Sequence, residues 1–250
     1  LICEAYNILK DVLNLGQDEI AKIFADWNKG ELDSFLIEIT SDILKYKDSD
    51  GQYLLPKIRD AAGQKGTGKW TVISSLEYGV PVTLIGEAVF ARCLSALKDE
   101  RVKASKILSK STIGFEGNKS EFIEHIRKAL YASKIISYAQ GFMLLREAAE
   151  VNKWHLNYGS IALMWRGGCI IRSVFLGNIK EAFTKNPSLS NLLLDPYFSK
   201  HVSASQMSLR RVVAQAALSG VPAPTFSAAL AFYDGYRSEV LPANLLQAQR

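Results

Sequence analysis

The sequence predicts an all-α fold, a multihelical domain built around long central helices and carrying an internal duplication. Three observations predict it. Apolar residues recur at three- and four-residue spacing through most of the chain. No segment sustains the two-residue alternation of a half-buried strand between turn signals. One pattern occurs twice: Trp27-x-x-Gly30-x-Leu32 returns 138 residues later as Trp165-x-x-Gly168-x-Ile170, each copy set between amphipathic stretches.

The elements follow in order. Residues 1–15 place Ile2, Ala5, Tyr6, Leu9, Val12 and Leu13 on one helical stripe, which Gly16 can end. The stripe is present from residue 1 with no initiator methionine, so the chain is expected to be trimmed from a longer one. Residues 19–28 form the next helix, with Ile20, Ile23, Phe24 and Trp27 on one face and Gly30 as its breaker. Residues 32–46 repeat the pattern with Leu32, Phe35, Leu36, Ile39, Ile43 and Leu44. Lys47-Asp-Ser-Asp-Gly51 is a solvated turn, lacking the spaced ligands and closing glutamate of a calcium loop. Pro56 suits the first turn of a short helix ending before Gly63.

Residues 70–78 read as a helix closed by Gly79. A longer one runs from Val82 to about residue 110, with Leu84, Ile85, Ala88, Val89, Cys93 and Leu97 facing inward and a charged, solvated end. After a loop at 111–119, Ser120 is an N-cap for a central strut over 121–151, bearing Ile126, Leu130, Ile135, Tyr138, Phe142 and Leu145. Residues 157–165 are a short helix, Gly167 and Gly168 interrupt, and 169–180 resume. Pro187 and Pro196 bracket a short helix at Leu192. Residues 203–219 carry a small-residue face of Ala204, Ala214 and Ala217, and 225–240 form the last long helix. The four tryptophans are expected in the core.

Composition bounds the function classes. At 250 residues, 48% hydrophobic and 22% charged, the chain can bury one large core or two small ones. Cys3, Cys93 and Cys169 are odd in number, far apart and without metal-ligand spacing, which points to reduced thiols and a cytoplasmic protein with no metal site. No uninterrupted apolar run is long enough to span a bilayer, so no membrane partner is expected. A net charge of +5 permits an anionic partner. No nucleic-acid recognition motif accompanies it, which favours a small phosphorylated ligand.

The chemistry concentrates at residues 58–70, Ile-Arg-Asp-Ala-Ala-Gly-Gln-Lys-Gly-Thr-Gly-Lys-Trp. Gly63, Gly66 and Gly68 leave the backbone open to close approach, Lys65 and Lys69 bring positive charge, and Thr67 brings a hydroxyl. A glycine loop feeding a helix start is an anion site, because free amides and the positive dipole end converge there. The bland alternative is a basic turn between two helices. A P-loop is excluded: the position after Gly68-Lys69 is Trp70 instead of Ser or Thr, and no buried strand precedes it. Arg92 lies among apolar neighbours with no favourably spaced acid, Glu87 being five residues back, so it is either a snorkelling side chain or a phosphate ligand. His125, His155 and His201 have no paired acid or cysteine at a telling spacing and read as structural, and Glu147 and Glu150 as helix-surface acids.

The same thirteen residues resemble the signature of the 6-phosphogluconate dehydrogenase family: an aliphatic residue, Asp60, Gly63-Gln64-Lys65-Gly66-Thr67-Gly68, one free position and Trp70. The resemblance extends to Leu1-Ile-Cys-Glu-Ala-Tyr, Tyr138-Ala-Gln-Gly-Phe, Trp165-Arg-Gly-Gly-Cys-Ile-Ile-Arg and Leu241-Pro-Ala-Asn-Leu-Leu-Gln-Ala-Gln-Arg. It implies that residues 1–250 are the C-terminal helical domain, itself built by duplication, without the N-terminal Rossmann domain and the extreme C-terminal tail. It implies that Lys65, Thr67 and Arg92 bind the phosphate of 6-phosphogluconate, and that Arg250 reaches the phosphate in the other subunit of a homodimer with shared sites. Lys69 falls on the free position and is not assigned. NADP is implied to be bound mainly by the absent N-terminal domain, and the catalytic lysine and glutamate to lie outside this chain, leaving it no catalytic residue and no turnover of its own. Two other readings stand beside this one: a non-catalytic helical scaffold, and a related β-hydroxyacid dehydrogenase with another acid substrate.

Overall fold

Helical periodicity becomes helix almost throughout. The computed structural model describes residues 1–111 and 113–250, so Thr112 of the expected loop lies outside the described residues. The first part contains α1 (Ile2–Asn7), continued by a π-helical turn over Ile8–Val12, then α2 (Gln17–Trp27), α3 (Phe35–Lys45), α4 (Thr67–Glu77), α5 (Thr83–Ala96) and α6 (Lys98–Ala104). The second contains α7 (Lys119–Asn152), α8 (Tyr158–Met164), α9 (Leu176–Lys185), α10 (Pro196–Leu218), α11 (Pro224–Tyr236) and α12 (Ala243–Ala248). Among the described residues the only extended pairings are two isolated antiparallel bridges, Ser34–Ser173 and Lys47–Tyr53.

The core forms around α7. Phe122, Ile126, Leu130, Tyr131, Ile135 and Phe142 are buried along it, and its largest interface is with α10, through Phe198, Val202, Leu209 and Val212. Its ends are chemically defined. Asn118 caps the N-terminus by accepting from the Glu121 amide, so the cap is two residues before the expected Ser120, and Lys153 ends the helix in the left-handed region at φ 58°. On α10 the expected start at 203 is too late. Pro196 occupies the first turn and the Asp195 carboxylate caps it, accepting from the Tyr197 amide at 2.9 Å. Ala204, Ala214 and Ala217 face solvent, so the small-residue stripe is not a packing face.

The segments that follow the two copies of the repeated pattern meet. The segments after α2 and after α8 pair at Ser34–Ser173, with the Phe35 amide donating to Arg172 O and the Val174 amide to Asp33 O, both at 3.2 Å. This pairing corrects two expected boundaries. Residues 32–34 are held out of α3, whose cap is Ser34, and residues 169–175 are held out of α9, which begins at Leu176 instead of Cys169. Beneath the bridge the Lys134 ammonium donates to Ser173 Oγ at 2.6 Å and lies 4.9 Å from the Phe175 ring centre.

Long-range caps fix the helices that frame the glycine loop. Glu4 on α1 closes the start of α11: its carboxylate accepts from the Thr225 amide (2.8 Å), the Thr225 hydroxyl (2.7 Å) and the Phe226 amide (3.0 Å). α11 in turn packs along α5.

The expected single helix over 82–110 is two. It breaks at Leu97 (φ −79°, ψ 42°), where Arg101 folds back onto the carbonyl of Ser95. Its inward face also differs. Leu84 is buried and Ile85, Ala88 and Val89 are half-buried, but Cys93 and Leu97 are exposed, because α5 and α6 present an apolar face that no described element covers. Residues 55–57 make one 3-10 turn instead of a short α-helix; Ile58 is already extended. Trp27 is in the core, whereas Trp70 and Trp154 are more than half exposed.

Candidate functional site

The glycine stretch is shorter as a loop than the sequence suggests. α4 begins at Thr67, three residues before the expected start, with Gly66 as its cap residue. The reason is packing. A Cβ on Gly68 would lie 2.7 Å from Val89 Cγ2, so the absence of a side chain lets the first turn of α4 rest directly on α5. No side chain caps this helix. The Trp70 amide donates to Gly66 O at 2.8 Å, while the amides of Thr67, Gly68 and Lys69 have no acceptor among the described residues. The dipole end and three open donors are therefore gathered at the exposed Thr67.

Arg92 stands on the facing helix. Val89, Arg92 and Ser95 form an i, i+3, i+6 stripe on α5. Val89 meets Gly68, and Ser95 Oγ accepts from the Ala62 amide at 2.9 Å while donating to Arg92 O at 2.7 Å. Arg92 thus lies between the two points at which residues 62–68 touch α5, the stretch that carries Lys65 and Thr67. All three side chains are exposed. Lys65, Lys69 and Arg92 form no ion pair among the described residues.

The loop's one carboxylate is neutralised. Asp60 meets Lys98 Nζ at 2.5 Å and the Arg101 guanidinium at 3.3 Å. The hydrogen bond from Lys98, aided by Arg101, holds its carboxyl well below the usual range, at about 2. With Asp60 turned to α6, the mouth between loop and α5 keeps a positive excess.

Arg250 is not brought to this mouth by any hydrogen bond or ion pair of its side chain among the described residues; it ends a wholly exposed stretch, 236–250. His125 meets Ser208 Oγ at 3.0 Å, and His201 packs edge-on against Tyr131, so both are held within the helical packing. Among the described residues no group of three or more His, Cys, Asp or Glu is placed to hold a metal ion, and no helix is long and apolar enough to cross a membrane.

The family model for the 6-phosphogluconate dehydrogenase C-terminal domain matches residues 1–250. The chain belongs to this family. It is 69% identical over 251 aligned positions to 6-phosphogluconate dehydrogenase, decarboxylating, of Ovis aries and equally to that of Homo sapiens, and 67% identical to that of Drosophila melanogaster. In each case the match covers all of this chain and 52% of the relative, so the chain spans about half their length. A solved Plasmodium falciparum 6-phosphogluconate dehydrogenase, studied in apo form and in complex with NADP+ and with 6-phosphogluconate, superposes with a TM-score of 0.95 at 42% identity. It too is matched over all of this chain and 54% of its own.

Sequence reasoning missed three residues that tie the glycine loop to α5. Asp60 was visible only as a signature letter, Ser95 carried no signal, and Arg101 read as part of a solvated charged face. Nothing in the sequence signals the pairing of Asp60 with Arg101, which are 41 residues apart.

Proposed function

We propose that this chain is the substrate-binding and dimerisation domain of an NADP-dependent 6-phosphogluconate dehydrogenase. The whole enzyme would convert 6-phospho-D-gluconate to ribulose 5-phosphate, CO2 and NADPH in the pentose phosphate pathway. The observation that carries the reading is the position of Arg92, facing the loop that bears Lys65 and Thr67 at an uncapped helix start. A phosphate dianion there accepts from open amides, one hydroxyl and two cations. The phosphate is remote from the reacting carbons, so binding energy gained at it orients the sugar acid for hydride loss and decarboxylation.

NADP does not fit these residues. A dinucleotide site needs a parallel sheet and a glycine turn entering a helix, and the described residues form two isolated bridges. NADP is therefore assigned mainly to a domain outside residues 1–250, the family resemblance assigns the proton-transfer pair there too, and the chain by itself is proposed to be inactive. NADP reduction by the purified chain with 6-phosphogluconate would refute that.

The homodimer is proposed from two surfaces. α4 to α6 expose Leu76, Phe90, Leu94 and, just beyond, Ile107 and Leu108, an apolar patch of the kind that a second copy covers. α12 has no buried residue, which suits a segment that packs on a partner and carries Arg250 to its phosphate. Sedimentation of the intact enzyme should give a dimer, and Arg250→Ala should raise KM for the phosphorylated substrate. The cytoplasm is the proposed compartment, consistent with three free cysteines of which two are exposed.

The deciding experiment substitutes Lys65→Ala and Arg92→Ala in the intact enzyme. Each charged hydrogen bond contributes about 1.5–3 kcal/mol, so KM for 6-phosphogluconate should rise at least about tenfold. Unchanged KM would favour a helical scaffold or another acid substrate.

A further inference from the structure

Lys65 and Thr67 stand on a stretch with almost no backbone hydrogen bonding of its own. Between Ile58 and Trp70 a single described amide, that of Ala62, donates a hydrogen bond, and it goes to a side chain, Ser95 Oγ. Three glycines lie in the same stretch. Such a segment would pay a large ordering entropy each time it closed on a ligand, unless something outside it fixes its shape.

What fixes it is one arginine. Arg101 Nη2 donates to Asp60 O at 2.9 Å and to Ser95 O at 2.9 Å, and the guanidinium meets the Asp60 carboxylate at 3.3 Å. Ser95 O is available because α5 ends at Ala96 and its last carbonyls lose their helical partners. The break at Leu97 is what lets α6 turn so that Arg101 reaches back. Lys98 completes the hold on Asp60. The ties attach the loop at residues 60 and 62, just ahead of Lys65, and both lead to Ser95, whose hydroxyl is bonded to Arg92 O. A fork of rigid donors suits three acceptors in fixed positions in a way an ammonium does not.

We propose that Asp60, Ser95 and Arg101 form a latch that sets the gap between the glycine loop and α5, acting as positioning residues for Lys65, Thr67 and Arg92. The latch rests on the phosphate-clamp reading above. It makes no contact with the ligand; it holds the clamp at its binding width, so that phosphate meets a loop already in place.

The test uses the intact enzyme with Asp60→Asn, Ser95→Ala and Arg101→Lys, each assayed with 6-phosphogluconate and with gluconate. Asp60→Asn and Arg101→Lys should raise KM for 6-phosphogluconate about five- to tenfold and leave kcat/KM for gluconate unchanged. Inhibition by inorganic phosphate should weaken in parallel. In a Lys65→Ala background Asp60→Asn should add little, because the latch acts through the clamp. Equal losses with both substrates would mean a merely structural role and overturn the latch. If Lys65→Ala raises KM while the three latch variants do not, the latch fails and the clamp stands. If Lys65→Ala is itself silent, the clamp reading fails and the latch falls with it.

Discussion

The side-chain oxygen of Gln140 accepts the Leu84 amide at 3.0 Å, joining residues 56 positions apart. Gln140 is fully buried on α7, and its amide nitrogen also donates to Thr83 Oγ1 at 3.0 Å. The start of α5 has no cap of its own, since Val82 supplies none. The central helix therefore closes the helix that carries Arg92, which gives the Tyr138-Ala-Gln-Gly-Phe segment a physical task. Tyr138 adds a second one, donating from its hydroxyl to Ile171 O at 3.1 Å.

Gln140→Leu should destabilise the protein by about 1–3 kcal/mol, the cost of a buried amide left without its acceptor. Urea denaturation followed by circular dichroism reads this directly. A midpoint unchanged from the parent would show that the Leu84 amide finds another partner.

Gly68→Ala decides between two opposing effects. Alanine in a helix ordinarily gains up to about 1 kcal/mol over glycine. Here the new methyl would sit 2.7 Å from Val89 Cγ2, on a β-branched side chain with little freedom to move aside. The clash should dominate, pushing the start of α4 off α5 and raising KM for the phosphorylated substrate. Val89→Ala in the same molecule should restore most of the loss, and a pair of additive losses would argue against the contact.

Lys134 predicts a pH dependence. Burial lowers its ammonium to about 8, with Asp33 offsetting only part of that, while the same lysine in the unfolded chain titrates near 10.5. Between these values the unfolded state binds more protons, so stability rises with pH across the window beginning near 8. Above about 10 the buried Tyr131 and Tyr138 act oppositely: burial raises both phenols, the unfolded chain loses their protons first, and stability falls. Stability should therefore climb from pH 8 towards 10 and then decline. Lys134→Met should flatten the climb; the same slope in that variant would assign it to another group.

The fold class was legible because period-3.6 patterning is written into nearly every helix, and the repeated tryptophan pattern marked the two segments that pair at Ser34 and Ser173. The misread boundaries have two causes. Some are set by a partner distant in sequence: Ser34 and Ser173 take each other out of helices, and Val89 draws Gly68 into one. Others are set by a local cap that competes with the expected one, as Asn118 does on α7 and Asp195 on α10. Lys65 and Thr67 could be nominated from the signature, and Arg92 from its apolar surroundings and the wider resemblance. The direction of Arg92 could not, because it depends on Val89 and Ser95 touching a loop some twenty to thirty residues upstream. Cys93 and Leu97 were misassigned to the core because apolar spacing is the same whether a face meets its own domain or is left uncovered.

The bond from Glu4 to Thr225 spans 221 residues. At ribosomal rates of about 5–20 residues per second, roughly 11–44 s separate the synthesis of its two ends. Until then α11 is absent, and the apolar side chains it covers on α5 and α7 are bare. The nascent domain can assemble α2, α3 and the early part of α7 as they emerge, but it cannot lock its first helix to its eleventh until residue 225 has left the ribosome. A ribosome stalled before residue 225 would hold a chain whose core is unsealed along α5 and α7.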